Sequence, residues 1–100
     1  MKHLIPLILL AACGAQPTPL MMGAERQEVE VAGRSYTVFW TDTMVEVIRL
    51  GWASPGQHQA IRATMIGLVP QVTGCRLNER SLMGDSGEMR GQITCPDGAG

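Results

Sequence analysis

Residues 75–95 read CRLNERSLMGDSGEMRGQITC, and their symmetry is the first guide to the fold. Asp85 is the midpoint between Cys75 and Cys95, and it lies inside Gly84-Asp85-Ser86-Gly87, a run whose residues tolerate the backbone angles of a tight reversal. A hairpin folded about that turn sets Cys75 opposite Cys95. The same register sets Leu77 against Ile93 and Ser81 against Met89, and it gives Arg76, Asn78, Arg80, Arg90, Gln92 and Thr94 the other face, with Arg80 directly opposed to Arg90. Register and bridge therefore support each other. Closing a loop of this length with a disulfide contributes about 3 kcal/mol in the chain-entropy model, a large share of what a small domain has to spare.

Immediately upstream, residues 54–74 carry helix signals. Ser54 can cap, Pro55 suits the first helical position, and Gln57 stands three after Ser54 as in a capping box. Ile61, Met65, Leu68, Val69 and Val72 fall within ~100° of one another at 3.6 residues per turn, so one stripe faces a sheet. Pro70 removes a donor and crowds the carbonyl of Ile66. Because Val72 keeps the phase and Gly74 suits the position just past a helix end, a helix kinked at Pro70 and running to Thr73 is predicted.

From Gln27 onward the period is two. Val29 and Val31 alternate with Glu28 and Glu30, Ala32-Gly33-Arg34 allows a reversal, and residues 36–40 resume with β-branched and aromatic side chains. Thr41-Asp42-Thr43 makes a second turn before residues 44–50, in which Met44, Ile48 and Leu50 lie on one face with Glu46 the exception. The expected fold is α+β: a small antiparallel sheet in chain order β-β-β-α-β-β, one helix packed on it, a polar face open to water, and a disulfide-closed C-terminal hairpin. One domain over residues 25–95 with a flexible tail at 96–100 accounts for the length.

The N-terminus carries a different signal. Lys2 is followed by an apolar run from Leu4, and Leu10-Ala11-Ala12-Cys13 ends on a cysteine preceded by two small residues. Nine apolar residues rise only ~14 Å as a helix, about half of the ~30 Å hydrocarbon core, so the run is no membrane span. The order of charged start, short apolar stretch, aliphatic residue and small residues before the cysteine resembles the lipobox of bacterial lipoprotein precursors. That resemblance implies cleavage of residues 1–12 as a signal peptide, lipidation of Cys13, and a tether over residues 13–24 containing Pro17, Pro19 and Gly23. Each buried methylene contributes ~0.8 kcal/mol, so two or three chains, palmitate among them, make a stable membrane anchor. Gly14 after the modified cysteine implies the periplasmic face of the outer membrane, in the cell envelope. With Cys13 taken by lipid, Cys75 and Cys95 remain as an even pair in an oxidising compartment.

Composition narrows the function. The chain has 8 basic and 9 acidic residues, and loss of Lys2 leaves a formal charge near −2. Nucleic-acid binding needs clustered cations to displace counterions, so no such partner is expected. Zinc sites use closely spaced cysteine pairs, and His58 would be the one histidine of the mature chain, so neither metal nor cofactor is expected. Met21-Met22 lacks the repeated spacing of a Cu(I) site. Gly84-Asp85-Ser86-Gly87 is similar to the segment around the nucleophile of chymotrypsin-like serine proteases, but Glu88 and Met89 then depart from that family, which also needs two barrels and a His–Asp pair. Ser86 is therefore expected in a hairpin turn and His58 in an exposed first helical turn. The candidate partner-binding face is Arg76, Arg80 and Arg90 on the last hairpin, suited to an anionic envelope protein or a lipid headgroup. Trp40 and Trp52, at strand and loop ends, are open to core or interface roles. The expectation is a non-catalytic binding or assembly accessory with no small-molecule substrate. The alternative is a small inhibitor: disulfide-bonded lipoproteins include lysozyme inhibitors, and the stretch around residues 36–40 is similar to theirs, although those proteins are all-β.

Overall fold

The structure is a computed structural model that describes residues 17, 19–21 and 23–96. The expected signal peptide, Cys13, half of the expected tether and residues 97–100 lie outside the described residues. The period-two stretches form β1 (Glu25–Val31), β2 (Arg34–Trp40) and β3 (Met44–Arg49); one helix follows, α1 (His58–Thr73), then β4 (Arg76–Gly84) and β5 (Glu88–Thr94). All five strands pair antiparallel in the order β1-β2-β3-β5-β4. This is the expected α+β arrangement. The last strand is thus interior, and β4 forms an edge.

Local chemistry explains most of the connections. Ala32 and Gly33, at φ 53° and 79°, make the two-residue reversal between β1 and β2, whose handedness matches the twist of the strands. Thr41 closes the next turn: its N–H donates to the Met44 carbonyl at 2.9 Å, and its Oγ1 accepts from Thr43 N–H at 3.2 Å and Met44 N–H at 3.1 Å.

The helix begins three residues later than the capping pattern predicts. Ser54-Pro55-Gly56-Gln57 instead closes a β-turn, with Gln57 N–H donating to the Ser54 carbonyl at 3.1 Å and Gly56 at φ 91°. Proline followed by a residue of positive φ is the combination a type II turn requires, and it diverts the chain before helical angles set in. Gln57 still reaches back, accepting from Ser54 N–H through Oε1 at 2.9 Å, so half of the capping box is made across the turn. At its other end α1 runs through Pro70 to Thr73. Gly74 then takes φ 74° and donates its N–H to the Pro70 carbonyl at 3.0 Å.

Ile61, Met65, Leu68 and Val69 bury the expected stripe of α1 against Tyr36, Val38, Val45, Val47, Met89 and Ile93. On β3 the expected phase is corrected. Val45 and Val47 face the helix, whereas Met44, Glu46 and Ile48 alternate onto the reverse face. The reverse face is not simply polar either: Thr37, Phe39 and Glu46 are buried there, and a 3-10 turn at Pro19–Met21 packs against β3 with Met21 buried. Trp40 packs at the edge of the helix-side core, and Trp52 is 78% exposed.

The last hairpin keeps the expected register at its base and loses it toward the tip. Arg76 pairs with Thr94, Leu77 with Ile93 and Asn78 with Gln92; beyond that the register shifts, so that Met83 faces Arg90 and Gly84 faces Met89. Ser81 does not face Met89, and Arg80 does not face Arg90. The cause is local competition for backbone hydrogen bonds. Asn78 Oδ1 accepts from Arg80 N–H at 3.2 Å, Ser81 Oγ donates to the Asn78 carbonyl at 2.6 Å, and Gln92 N–H donates to Ser81 Oγ at 2.8 Å. A bulge forms where a continuous ladder would have run. Cys75 and Cys95 are bonded at the hairpin base, 20 residues apart in sequence.

Two stability measurements follow from this architecture. Cys75→Ser combined with Cys95→Ser should lower unfolding stability by about 3 kcal/mol in denaturant titration, and a loss below about 1 kcal/mol would show that the bridge constrains little. Ala32→Asn should raise stability by about 0.5–1 kcal/mol, because asparagine accepts the left-handed conformation at lower cost than alanine; a decrease would contradict the turn assignment.

Candidate functional site

The β4–β5 turn is held by one carboxylate. Asp85 Oδ1 accepts from Gly87 N–H at 2.7 Å and Glu88 N–H at 3.2 Å, while Asp85 N–H donates to the Glu88 carbonyl at 2.8 Å. Gly84 enters the turn at φ 97°, and a Cβ there would stand 2.1 Å from the Glu88 carbonyl oxygen, so only glycine fits. These bonds hold Ser86 at the crest of the turn with its side chain folded inward, 9% exposed.

Two other elements converge on Ser86. Arg49, the last residue of β3, donates its backbone N–H to the Gly87 carbonyl at 2.9 Å and its Nη1 to the Ser86 carbonyl at 2.9 Å. His58, the first residue of α1, hydrogen-bonds through Nδ1 to Ser86 Oγ. Its position follows from the Pro55-Gly56 turn: a helix starting at Pro55 would have put His58 a full turn further in. Arg62 lies four residues along α1 and so on the same side as His58. Arg49, His58, Gln59, Arg62 and residues 84–87 together line an open cleft of about 640 Å³.

Asp85 is held below the ordinary carboxylate pKa, first by the Gly87 and Glu88 N–H groups and further by the positive charges of Arg49 and His58. Its carboxylate serves the turn. It is not hydrogen-bonded to His58, and the two N–H groups that follow Ser86 are taken by Asp85 Oδ1. The arrangement differs from a serine nucleophile with its oxyanion hole, in which those donors would face a substrate. What the cleft presents is positive charge: Arg49 and Arg62 belong to neither of the two ion pairs among the described residues, which are Arg26–Glu28 and Arg90–Glu88.

The arginines singled out from the sequence are divided. Arg76 and Arg80 are exposed and share a shallow depression with Asn78, Glu79 and Thr94. Arg90 is drawn away from them, donating from Nη1 to Glu88 at 2.7 Å and 2.9 Å and facing Glu46 across the sheet. The hydrogen bond to Glu88, and then the charges of Glu88 and Glu46, raise its pKa further.

Sequence reading paired Ser86 with no histidine and passed over Arg49 and Arg62. The i, i+4 spacing of His58 and Arg62 was available as a signal; the contact between residues 49 and 86, 37 apart, was not. Among the described residues no group of three or more His, Cys, Asp or Glu side chains is placed to hold a metal ion, and no helix is long and apolar enough to cross a membrane. No family model matches the chain, and comparisons with curated proteins and with solved structures found no match either.

The Asp85 turn makes a pH prediction. The folded-state pKa lies below the ordinary 3.8, so the unfolded chain binds this proton more readily. The stabilisation is complete above about pH 4 and is lost as pH falls through the folded value. Asp85→Asn should therefore flatten the acid limb of the stability–pH curve, and an unchanged limb would show that the carboxylate charge is not what the turn uses.

Proposed function

We propose that the chain is a lipid-anchored protein of the bacterial cell envelope whose folded domain is a non-catalytic binding or assembly module. Residues 1–12 act as the signal peptide, Cys13 carries the lipid, and the domain stands on a short tether at the periplasmic face of the outer membrane. One observation carries this reading: of three cysteines, Cys75 and Cys95 are bonded to each other, and the remaining one is the lipobox residue. A structural disulfide in so small a domain suits an oxidising compartment, and a lone third cysteine there needs a use.

A tether and a stapled domain suit presentation. The lipid keeps the domain within a few nanometres of the membrane and raises its effective concentration toward partners there. The bridge keeps the surface ordered without a large core. An anionic partner is the kind that the arginine-bearing surfaces would hold.

Intact mass of protein recovered from the membrane fraction tests this directly. Residues 13–100 plus acyl chains, gaining two hydrogens on reduction, is the expected species, and Cys13→Ala should move the protein to the soluble fraction. An uncleaved, unacylated chain with three free thiols would overturn the proposal.

A further inference from the structure

We propose that Arg49, His58, Arg62 and Ser86 form a binding site for a phosphate group in the cleft beside the β4–β5 turn. The inference deepens the reading of the domain as a binding module and is independent of the lipid anchor.

Three elements supply the donors: the end of β3, the first turns of α1 and the crest of the hairpin turn. Two permanent guanidinium charges line one cleft, and the carboxylate in that lining, Asp85, has Oδ1 engaged by the turn. Local charge is therefore positive in a chain whose formal charge is −1.

Arg49 adds a second observation. It is held by the Ser86 carbonyl through Nη1, yet its Nε is buried with no hydrogen-bond partner among the described residues. Asp85 feels this charge without forming an ion pair with it, so the guanidinium, held by a neutral carbonyl, can still attract an anion in the cleft through its charge. The N-terminus of α1 opens at the same place, with no side-chain cap and no acid in its first turn, so the helix end adds positive potential.

The geometry favours phosphate over a carboxylate. Donors arrive from separate elements rather than as one planar fork, which suits a tetrahedral group with several acceptor oxygens. Two guanidinium groups outweigh the single Asp85 carboxylate in the lining, a protonated His58 adds the further charge that a dianion calls for, and the Ser86 hydroxyl can then turn to donate. The same chemistry is offered by free phosphate and by the headgroup of phosphatidic acid.

The test uses the full-length mature protein in zwitterionic micelles, following the Ser86 and Gly87 amide and His58 ring resonances. Inorganic phosphate should shift them saturably, whereas chloride at matched ionic strength should not. Arg62→Gln should weaken this binding at least about tenfold, since a hydrogen bond to a charged group is worth that much or more. Asp85→Asn should tighten it by removing a like charge. Arg26→Gln, on the reverse face of the sheet beside Phe39 and Glu28, should leave it within about twofold, a bound set by its place outside the cleft and by screening. Protein in phosphatidylcholine vesicles with and without phosphatidic acid separates the sources. Shifts with the headgroup alone assign the site to lipid, and shifts with inorganic phosphate alone assign it to a free phosphate compound. Absence of both responses, or Arg62→Gln binding as the unsubstituted protein does, overturns the site while leaving the mass measurement of the anchor intact.

Discussion

Cys75 and Cys95 are joined where α1 hands the chain back to the sheet. Gly74 turns the backbone, Cys75 N–H is caught by Thr73 Oγ1 at 3.0 Å, and Cys75 itself is buried in the helix-side core. The bridge then reaches to the far end of β5, an interior strand that pairs with β3 on one side and β4 on the other. One covalent bond thus ties the helix end to the strand that completes the core. In a domain this small, hydrophobic burial alone leaves little margin over chain entropy, so a constraint placed at that junction carries unusual weight.

The remaining difficulty for such a sheet is its edges. β1 meets solvent with Glu25, Arg26, Glu28 and Glu30, charges that discourage pairing with another chain. β4 is interrupted by the bulge between Asn78 and Met83. Gly91 makes room for that bulge: a Cβ there would come within 3.1 Å of Leu82, 3.2 Å of Ser81 and 3.3 Å of Leu77. The bulge separates Arg80 from Arg90, which replaces a like-charge pair with the Glu88–Arg90 ion pair.

Charge is divided between the two ends and faces of the sheet. On the reverse face Arg26 lies 5.7 Å over the Phe39 ring, and Glu46 is buried between Phe39 and Arg90 in register, so cations there meet aromatic or acidic neighbours. At the α1 end of the hairpin, Arg49 and Arg62 gather round Ser86 without an ion pair among the described residues. This asymmetry is what the proposed anion site draws on, in a domain stapled by a single disulfide.

The sequence by itself determined the class of fold: period-two stretches, a single amphipathic stripe from Ile61 to Val69 and a cysteine pair symmetric about Asp85 are local patterns, and local geometry enforces them. It also determined the base of the hairpin, where Leu77 meets Ile93. Tertiary structure decided what depends on competition between near-equal options. Pro55-Gly56 formed a turn in place of a first helical turn. Asn78 and Ser81 withdrew backbone groups from the ladder and shifted the register by more than the symmetry allowed. Strand β3 turned Val45 and Val47 to the helix and Glu46 to the reverse face, where it is buried opposite Arg90. The meeting of Arg49, His58 and Ser86 belongs to this second group: residues far apart in the chain share a cleft only once β3, α1 and the hairpin are packed, and no spacing along the chain encodes that distance.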